Sequence, residues 1–180
     1  MNKISIIGAG QVGGTCALYC LQKNLGNVVL LDVDEGIAKG KALDLMQARP
    51  IFGFKATIVG TNNYADTANS DLYIVTAGLA RKPGMDRLDL LKKNADIISG
   101  CAENIKKYSP KSIVLVVSNP VDVMTYLMWK KTGFPSERVI GQAGVLDSAR
   151  MAAFILMTDP ELEIPEVHTM VLGGHGDTMV

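Results

Sequence analysis

Long apolar runs are missing from this 180-residue chain, and none approaches the ~18–20 residues of a membrane-spanning helix. A charge excess is missing too. Eighteen Lys and Arg balance eighteen Asp and Glu, so no global field draws the chain to nucleic acid or to an anionic membrane. Cysteine is scarce and odd in number. Cys16 and Cys20 fall one helical turn apart, with no histidine and no third cysteine near them, and Cys101 stands alone. This pattern reads as buried free thiols, with no metal site. Free thiols suit a reducing compartment, so a cytoplasmic location is expected. The short apolar stretch at residues 4–7 is followed by Gly8 and no cleavage-site pattern, unlike a secretory leader. Repeats and low-complexity segments are absent. What remains is 48% hydrophobic and 20% charged, a composition that excludes disorder and can bury the core of one domain and a little more.

Short runs rich in Val, Ile and Leu recur at residues 4–7, 28–31, 56–59, 72–76 and 113–117. Most are apolar throughout, as strands are when both faces of their sheet are covered. Helical spacing fills the gaps. Val12, Cys16, Ala17, Cys20 and Leu21 follow a 3.6-residue period. Residues 36–48 predict a second helix that stops before Pro50, because proline disfavours helical geometry in the residue before it. A long helix is predicted at 87–107, and another at 120–131 with Pro120 in the first turn, where no donor is lost. The alternation predicts an α/β fold with a doubly wound parallel sheet. Beyond Gly141 it gives way to a helix at 146–157 and, past Pro160 and Pro165, a strand at 166–172. The expected organisation is a cofactor-type domain at 1–141 and the beginning of a second unit at 142–180. The methionines and Trp129 read as core filling.

The first motif is Gly8-Ala9-Gly10-Gln11-Val12-Gly13, placed directly after a strand and opening a helix. Gly8 permits the tight turn, Gly10 lets a pyrophosphate approach, and Gly13 allows close helix–strand packing. The helix N-terminus adds free N–H groups and a positive dipole end. The second strand leads to Asp32, nineteen residues after Gly13, close to the ~20 expected for an acid that binds the adenosine ribose. A carboxylate there repels a 2′-phosphate and no arginine follows closely, so the expected cofactor is NAD rather than NADP. A second constellation, residues 78–87, carries Arg81, Lys82 and Arg87 among Pro83, Gly78 and Gly84. It reads either as a mobile lid closing over an anion or as a solvated basic loop. Leu146-Asp147-Ser148-Ala149-Arg150 opens a helix, where Asp147 could act as an N-terminal acid and Arg150 as a surface residue. His175 stands in Gly173-Gly174-His175-Gly176-Asp177 with little local packing to justify it, which leaves a chemical role open. His168 reads as structural.

In order and spacing, these motifs together resemble the malate/lactate dehydrogenase family, nearest to its lactate-dehydrogenase-like malate dehydrogenase branch. The resemblance covers the whole chain and includes Ser118-Asn119-Pro120. It implies a Rossmann NAD-binding domain followed by the opening of an α+β substrate domain, truncated relative to family chains. It also implies His175 as the general acid/base, oriented by Asp147 at the other ring nitrogen. Arg150 would hold the first carboxylate of a 2-hydroxy acid, Arg87 would polarise the reacting oxygen, and Asn119 would bind substrate and lie against the nicotinamide ribose. Gly8, Ala9, Gly10, Gln11, Val12, Gly13, Asp32, Asn94, Val117, Ser118 and Asn119 would line the cofactor site. Arg81 would match the second carboxylate of malate or oxaloacetate. Lactate dehydrogenases carry an uncharged amide there, and burying an unpaired guanidinium against pyruvate's methyl is costly. The implied activity is NAD-dependent malate dehydrogenation, in the tricarboxylic acid cycle, by a homo-oligomer (dimer or tetramer). Dehydrogenation of lactate or another 2-hydroxy acid, and a non-catalytic NAD-binding module, are the alternatives.

Overall fold

The structure, a computed structural model, describes residues 2–79, 87–159, 161 and 167–180, with the backbone alone of Arg87. Among the described residues the strands are β1 Lys3–Ile7, β2 Asn27–Leu31, β3 Ile58–Thr61, β4 Leu72–Val75, β5 Ile113–Val116 and β6 Val139–Gly141. The helices are α1 Gln11–Gln22, α2 Glu35–Gln47, α3 Arg49–Phe52, α4 Arg87–Tyr108, α5 Val121–Thr132 and α6 Gly144–Thr158. All strand pairs are parallel, in the order β3-β2-β1-β4-β5-β6. That order reverses between β1 and β4, which opens a crevice at their carboxyl ends, where ligands of such sheets bind.

Why the strands are apolar on both sides follows from their alternation. Ile4, Ile6, Val28 and Leu30 point into one core, which Ala17 and Leu21 of α1 and Ala38 and Ala42 of α2 complete. Ile7, Leu31, Tyr73 and Val75 point into the other, against Ile98 and Ile105 of α4 and Met124 and Met128 of α5. Each fully buried large side chain contributes about 1.5–3 kcal/mol. At the amino ends of the strands lies a buried knot of hydroxyls. Ser5 and Ser70 share a bond of 2.7 Å, and Tyr73 Oη donates to the Thr67 carbonyl at 2.9 Å and lies 3.0 Å from Ser109 Oγ. These polar groups can be buried because they satisfy one another.

Several expectations are corrected. A sixth strand, β6, was not foreseen. β3 runs through Gly60 to Thr61, two residues beyond its expected end; a side chain at Gly60 would strike the Ala38 carbonyl of α2, and only glycine lets the helix pass so close. Of the strand expected at 166–172, residue 166 lies outside the described residues and 167–172 form no strand. That stretch bonds to a helix start instead. Thr169 Oγ1 donates to the Ser148 carbonyl at 2.7 Å, and Ser148 Oγ accepts from the Val171 N–H at 2.9 Å. The methionines divide: Met124 and Met128 are fully buried, whereas Met151, Met157 and Met170 are exposed. Trp129 is half-buried, with its ring edge-on to Tyr126 and Lys130 Nζ 4.2 Å from its centroid.

Cys20 and Cys101 are buried and Cys16 half-buried, all three as free thiols. Burial pushes Cys101 above the ordinary thiol value of 9.0, and burial also raises Tyr64, whose hydroxyl donates to Cys101 Sγ at 3.4 Å. Cys20 is raised by burial first and by Cys16 second. In the unfolded chain these groups ionise first as pH rises, so the stabilisation is intact below their unfolded values and is lost above them. The urea midpoint is therefore expected to hold from about pH 7 to 8.5 and to fall from about pH 9 upward. A midpoint still level at about pH 10.5 would contradict this account.

Candidate active site

The crevice begins with the turn from β1 into α1. Gly8 sits at φ +102°, a left-handed conformation that L side chains rarely adopt. A side chain on Gly13 would land on the Gly8 carbonyl, so glycine there lets the helix start hard against the turn. Gly10 has nothing within 4 Å of where a side chain would begin. It is also the N-cap of α1, with no side-chain cap, and the first turn of the helix carries no acid. An open surface over unpaired helix amides fits a pyrophosphate. Asp32, beyond the end of β2, leans over this turn. Its Oδ2 accepts from the Ala9 N–H at 2.6 Å and its Oδ1 from the Asp34 N–H at 3.1 Å. An ionised carboxylate has about four acceptor positions, so capacity remains for ribose hydroxyls. Lys41 of α2 donates from Nζ to the Gly10 carbonyl at 3.0 Å.

The far wall is tied together by short side chains. Ser118 Oγ donates to the carbonyls of Ala77 at 2.6 Å and Val75 at 3.2 Å, joining the exits of β4 and β5. Val117 joins the same wall through its N–H, which donates to the Val75 carbonyl at 2.9 Å. Asn94 of α4 is buried, accepts from the Leu79 N–H at 2.8 Å, and donates from Nδ2 to the Asn119 carbonyl at 3.0 Å. It holds the loop after β4 against the loop after β5, and Asn119 itself is left exposed.

His175 lies in a loop closed by a reciprocal backbone pair between Leu172 and Val180, at 2.8 and 2.9 Å. Its Nδ1 is 2.8 Å from Asp147 Oδ2. A carboxylate only accepts, so Nδ1 is the donor in this bond. Asp147, in the first turn of α6, is only 8% exposed, and its second oxygen accepts from Arg150 Nη1 at 3.1 Å. Asp147 is thus neither a cap nor a solvated acid, because its carboxylate turns from the helix end to the imidazole. The Arg150 guanidinium remains largely exposed, with most of its five donors available. On its other side, the His175 N–H donates to Asp122 Oδ2 of α5 at 2.9 Å.

Residues 2–141 match the lactate/malate dehydrogenase NAD binding domain. The chain belongs to that family. A malate dehydrogenase of Heliobacterium modesticaldum is 54% identical over 179 residues, covering 99% of this chain and 58% of that protein. Among solved structures, a malate dehydrogenase of Cryptosporidium parvum superposes with TM-score 0.94 at 47% identity, covering 99% of this chain and 57% of that one. A lactate dehydrogenase of the same organism, complexed with lactic acid and nicotinamide adenine dinucleotide, superposes with TM-score 0.93 at 44% identity, covering 99% and 56%. The chain thus spans a little over half the length of the relatives it matches. The family's NAD-binding domain is present.

The structure brings Gly8, Ala9, Gly10, Gly13 and Asp32 together, and separately His175, Asp147 and Arg150. Gln11 and Val12 begin α1 beside the turn. Arg81, and with it most of the expected lid, lies outside the described residues, as does the side chain of Arg87. Among the described residues no group of three or more His, Cys, Asp or Glu could hold a metal ion. Sequence reading missed two residues at the site. Lys41 and Asp122 reach partners 31 and 53 residues away, and such distant hydrogen bonds leave no local pattern.

Proposed function

We propose that this chain belongs to an enzyme that interconverts malate and oxaloacetate with NAD, with His175 as the general acid/base. The observation that carries this reading is the His175–Asp147 bond, with Arg150 on the second oxygen of the same carboxylate. Bound NAD supplies the acceptor for the hydride that malate loses. The chain's own residues bind, orient and move the proton. Neutral His175 takes the hydroxyl proton at Nε2, and Asp147 both holds the ring and stabilises the imidazolium, as carboxylates do in hydrolase triads. In the reverse direction His175 returns the proton. Arg150 grips the first carboxylate of the substrate through two nitrogens, Arg87 steadies charge developing on the reacting oxygen, and Asn119 hydrogen-bonds the substrate. Gly8, Ala9, Gly10, Gln11, Val12 and Gly13 receive the pyrophosphate, and Asp32 the ribose. Asn94, Val117 and Ser118 shape the nicotinamide side.

Arg81 selects malate, since a lid closing on pyruvate would leave its guanidinium unpaired in a dry site. The test is to titrate the purified chain with NADH by fluorescence and then add oxaloacetate, with a parallel sample of pyruvate. NADH should be consumed with oxaloacetate alone, and Arg81→Gln should narrow the preference by about 10–100-fold. Consumption with pyruvate alone would favour lactate, against the higher identity to malate dehydrogenases (54% and 47%) than to the lactate dehydrogenase (44%). Binding without consumption would leave an NAD-binding module.

The same reading assigns the protein to the cytoplasm and the tricarboxylic acid cycle, with residues 142–180 opening the substrate domain. Free thiols support the location. Among the described residues no helix is long and apolar enough to cross a membrane. Assembly as a dimer or tetramer is supported by the exposed Ile37 and Leu43 of α2 and Ile51 and Phe52 of α3. Sedimentation as a monomer at micromolar concentration would contradict it.

A further inference from the structure

His175 is held at two points by carboxylates from two helices. Asp147 of α6 holds the ring, and Asp122 of α5 accepts the backbone N–H at 2.9 Å. Asp122 sits in the first turn of α5, where an acid already interacts well with the helix dipole. It also reaches out of that turn to a single amide 53 residues away. Asp122 and His175 line one cleft of about 430 Å³, together with Thr125, Trp129, Gly141 and Ala143. Three residues before Asp122, the Asn119 carbonyl is held by Asn94. The turn between β5 and α5 therefore faces the cofactor wall at one end and the acid/base loop at the other. The charged groups bonded to this loop or to its carboxylate partner, among the described residues, are Asp147, Arg150 and Asp122.

We infer that Asp122 is a positioning residue for the acid/base, fixing the main chain of His175 so that its ring meets Asp147 through Nδ1. This deepens the malate reading and rests on it. A single hydrogen bond at Nδ1 leaves the glycine-flanked loop free to shift and the ring free to tilt about that bond. A second, charge-assisted bond at the amide removes this freedom, and such bonds are stronger than neutral ones. The gain is in aim, because a misplacement of about 1 Å at a reacting group costs about 10²-fold in rate.

The chain has only two histidines, His168 and His175, so their ring nitrogen resonances are distinguished by one variant, His168→Gln. At about pH 9 the neutral ring reports its tautomer directly. In the unmodified chain the Nδ1–H form of His175 should dominate. Asp122→Ala should turn it into a mixture of both tautomers and lower kcat by about 10–100-fold with little change in the KM for NADH. Asp122→Asn keeps an acceptor oxygen and should restore both. Asp122→Ser keeps a good helix-start residue but is too short to reach the amide, so it should match Asp122→Ala even if the alanine variant folds poorly. An unchanged tautomer in both the Ala and Ser variants overturns the inference, and so does an Asn variant as impaired as Ala. The ring signal needs no turnover. A chain whose tautomer responds as expected but which never consumes NADH with oxaloacetate sinks the malate reading and leaves the role of Asp122 standing.

Discussion

Replacing His175 by asparagine is expected to lower oxaloacetate turnover by about 10²–10⁴-fold, the usual worth of a positioned acid/base. Asparagine is similar in size and can hydrogen-bond, but it exchanges no proton near neutrality. Nothing else in the pocket should collapse. Asp147 keeps Arg150 at 3.1 Å, and the amide at position 175 can still reach Asp122. The glycine turn and Asp32 belong to the other end of the crevice, so NADH affinity should stay within about twofold while turnover vanishes. A fluorescence titration of NADH and an assay of its consumption read the two quantities on one preparation. A variant that kept more than about a tenth of the rate would place the proton transfer on some other group.

Gly13→Val should be the most damaging change in the cofactor half. Its first side-chain atom would meet the Gly8 carbonyl and approach Thr76 Oγ1 to 2.9 Å. Neither neighbour can yield easily. Gly8 donates its N–H to Leu31 at 2.8 Å, and Thr76 Oγ1 donates to the carbonyls of Ile7 and Gly8, each at 3.1 Å. Overpacking against backbone that is pinned on both sides should cost about 3 kcal/mol or more. The urea midpoint should fall and NADH binding should weaken with it. Gly10→Ala makes the complementary case. Its side chain enters open space, so the midpoint should stay within about 1 kcal/mol of the unmodified chain. On the proposed placement of the pyrophosphate the methyl would stand in its path, so binding alone should suffer. If Gly10→Ala bound NADH normally, the phosphates would have to lie elsewhere.

Five of the six strands were legible because they are short, apolar on both faces and separated by helical spacing. β6 was not, since Val139-Ile140-Gly141 is too short to show a period and ends in glycine. The reverse error at 166–172 has a related cause. A β-rich stretch marks what could join a sheet, and among the described residues this one finds Ser148 instead of a neighbouring strand. The apolar run at 56–59 did not show that β3 continues through Gly60, a glycine that lets α2 approach. At the site, the glycine turn was readable as a local motif. The His175–Asp147 pair spans 28 residues and was expected only through family resemblance. Composition could not separate Met124 and Met128 from Met151 and Met157, because burial depends on which helix face meets the sheet.

The strand order also bears on how the chain reaches this state. Ile4 of the first strand pairs with Val28 on one side and with Leu72 on the other. During synthesis, β2 and then β3 emerge before β4. Until then β1, destined for the middle of the sheet, is an open edge, and the apolar face carrying Ile7 and Leu31 has no cover from α4 or α5. Non-local parallel pairing must meet its loop-closure cost before its contacts form, which makes such sheets slow to assemble. The same arrangement that creates a crevice between β1 and β4 therefore leaves the nascent half-sheet sticky, because β4 closes only its β1 edge and the apolar face stays bare until α4 and α5 follow.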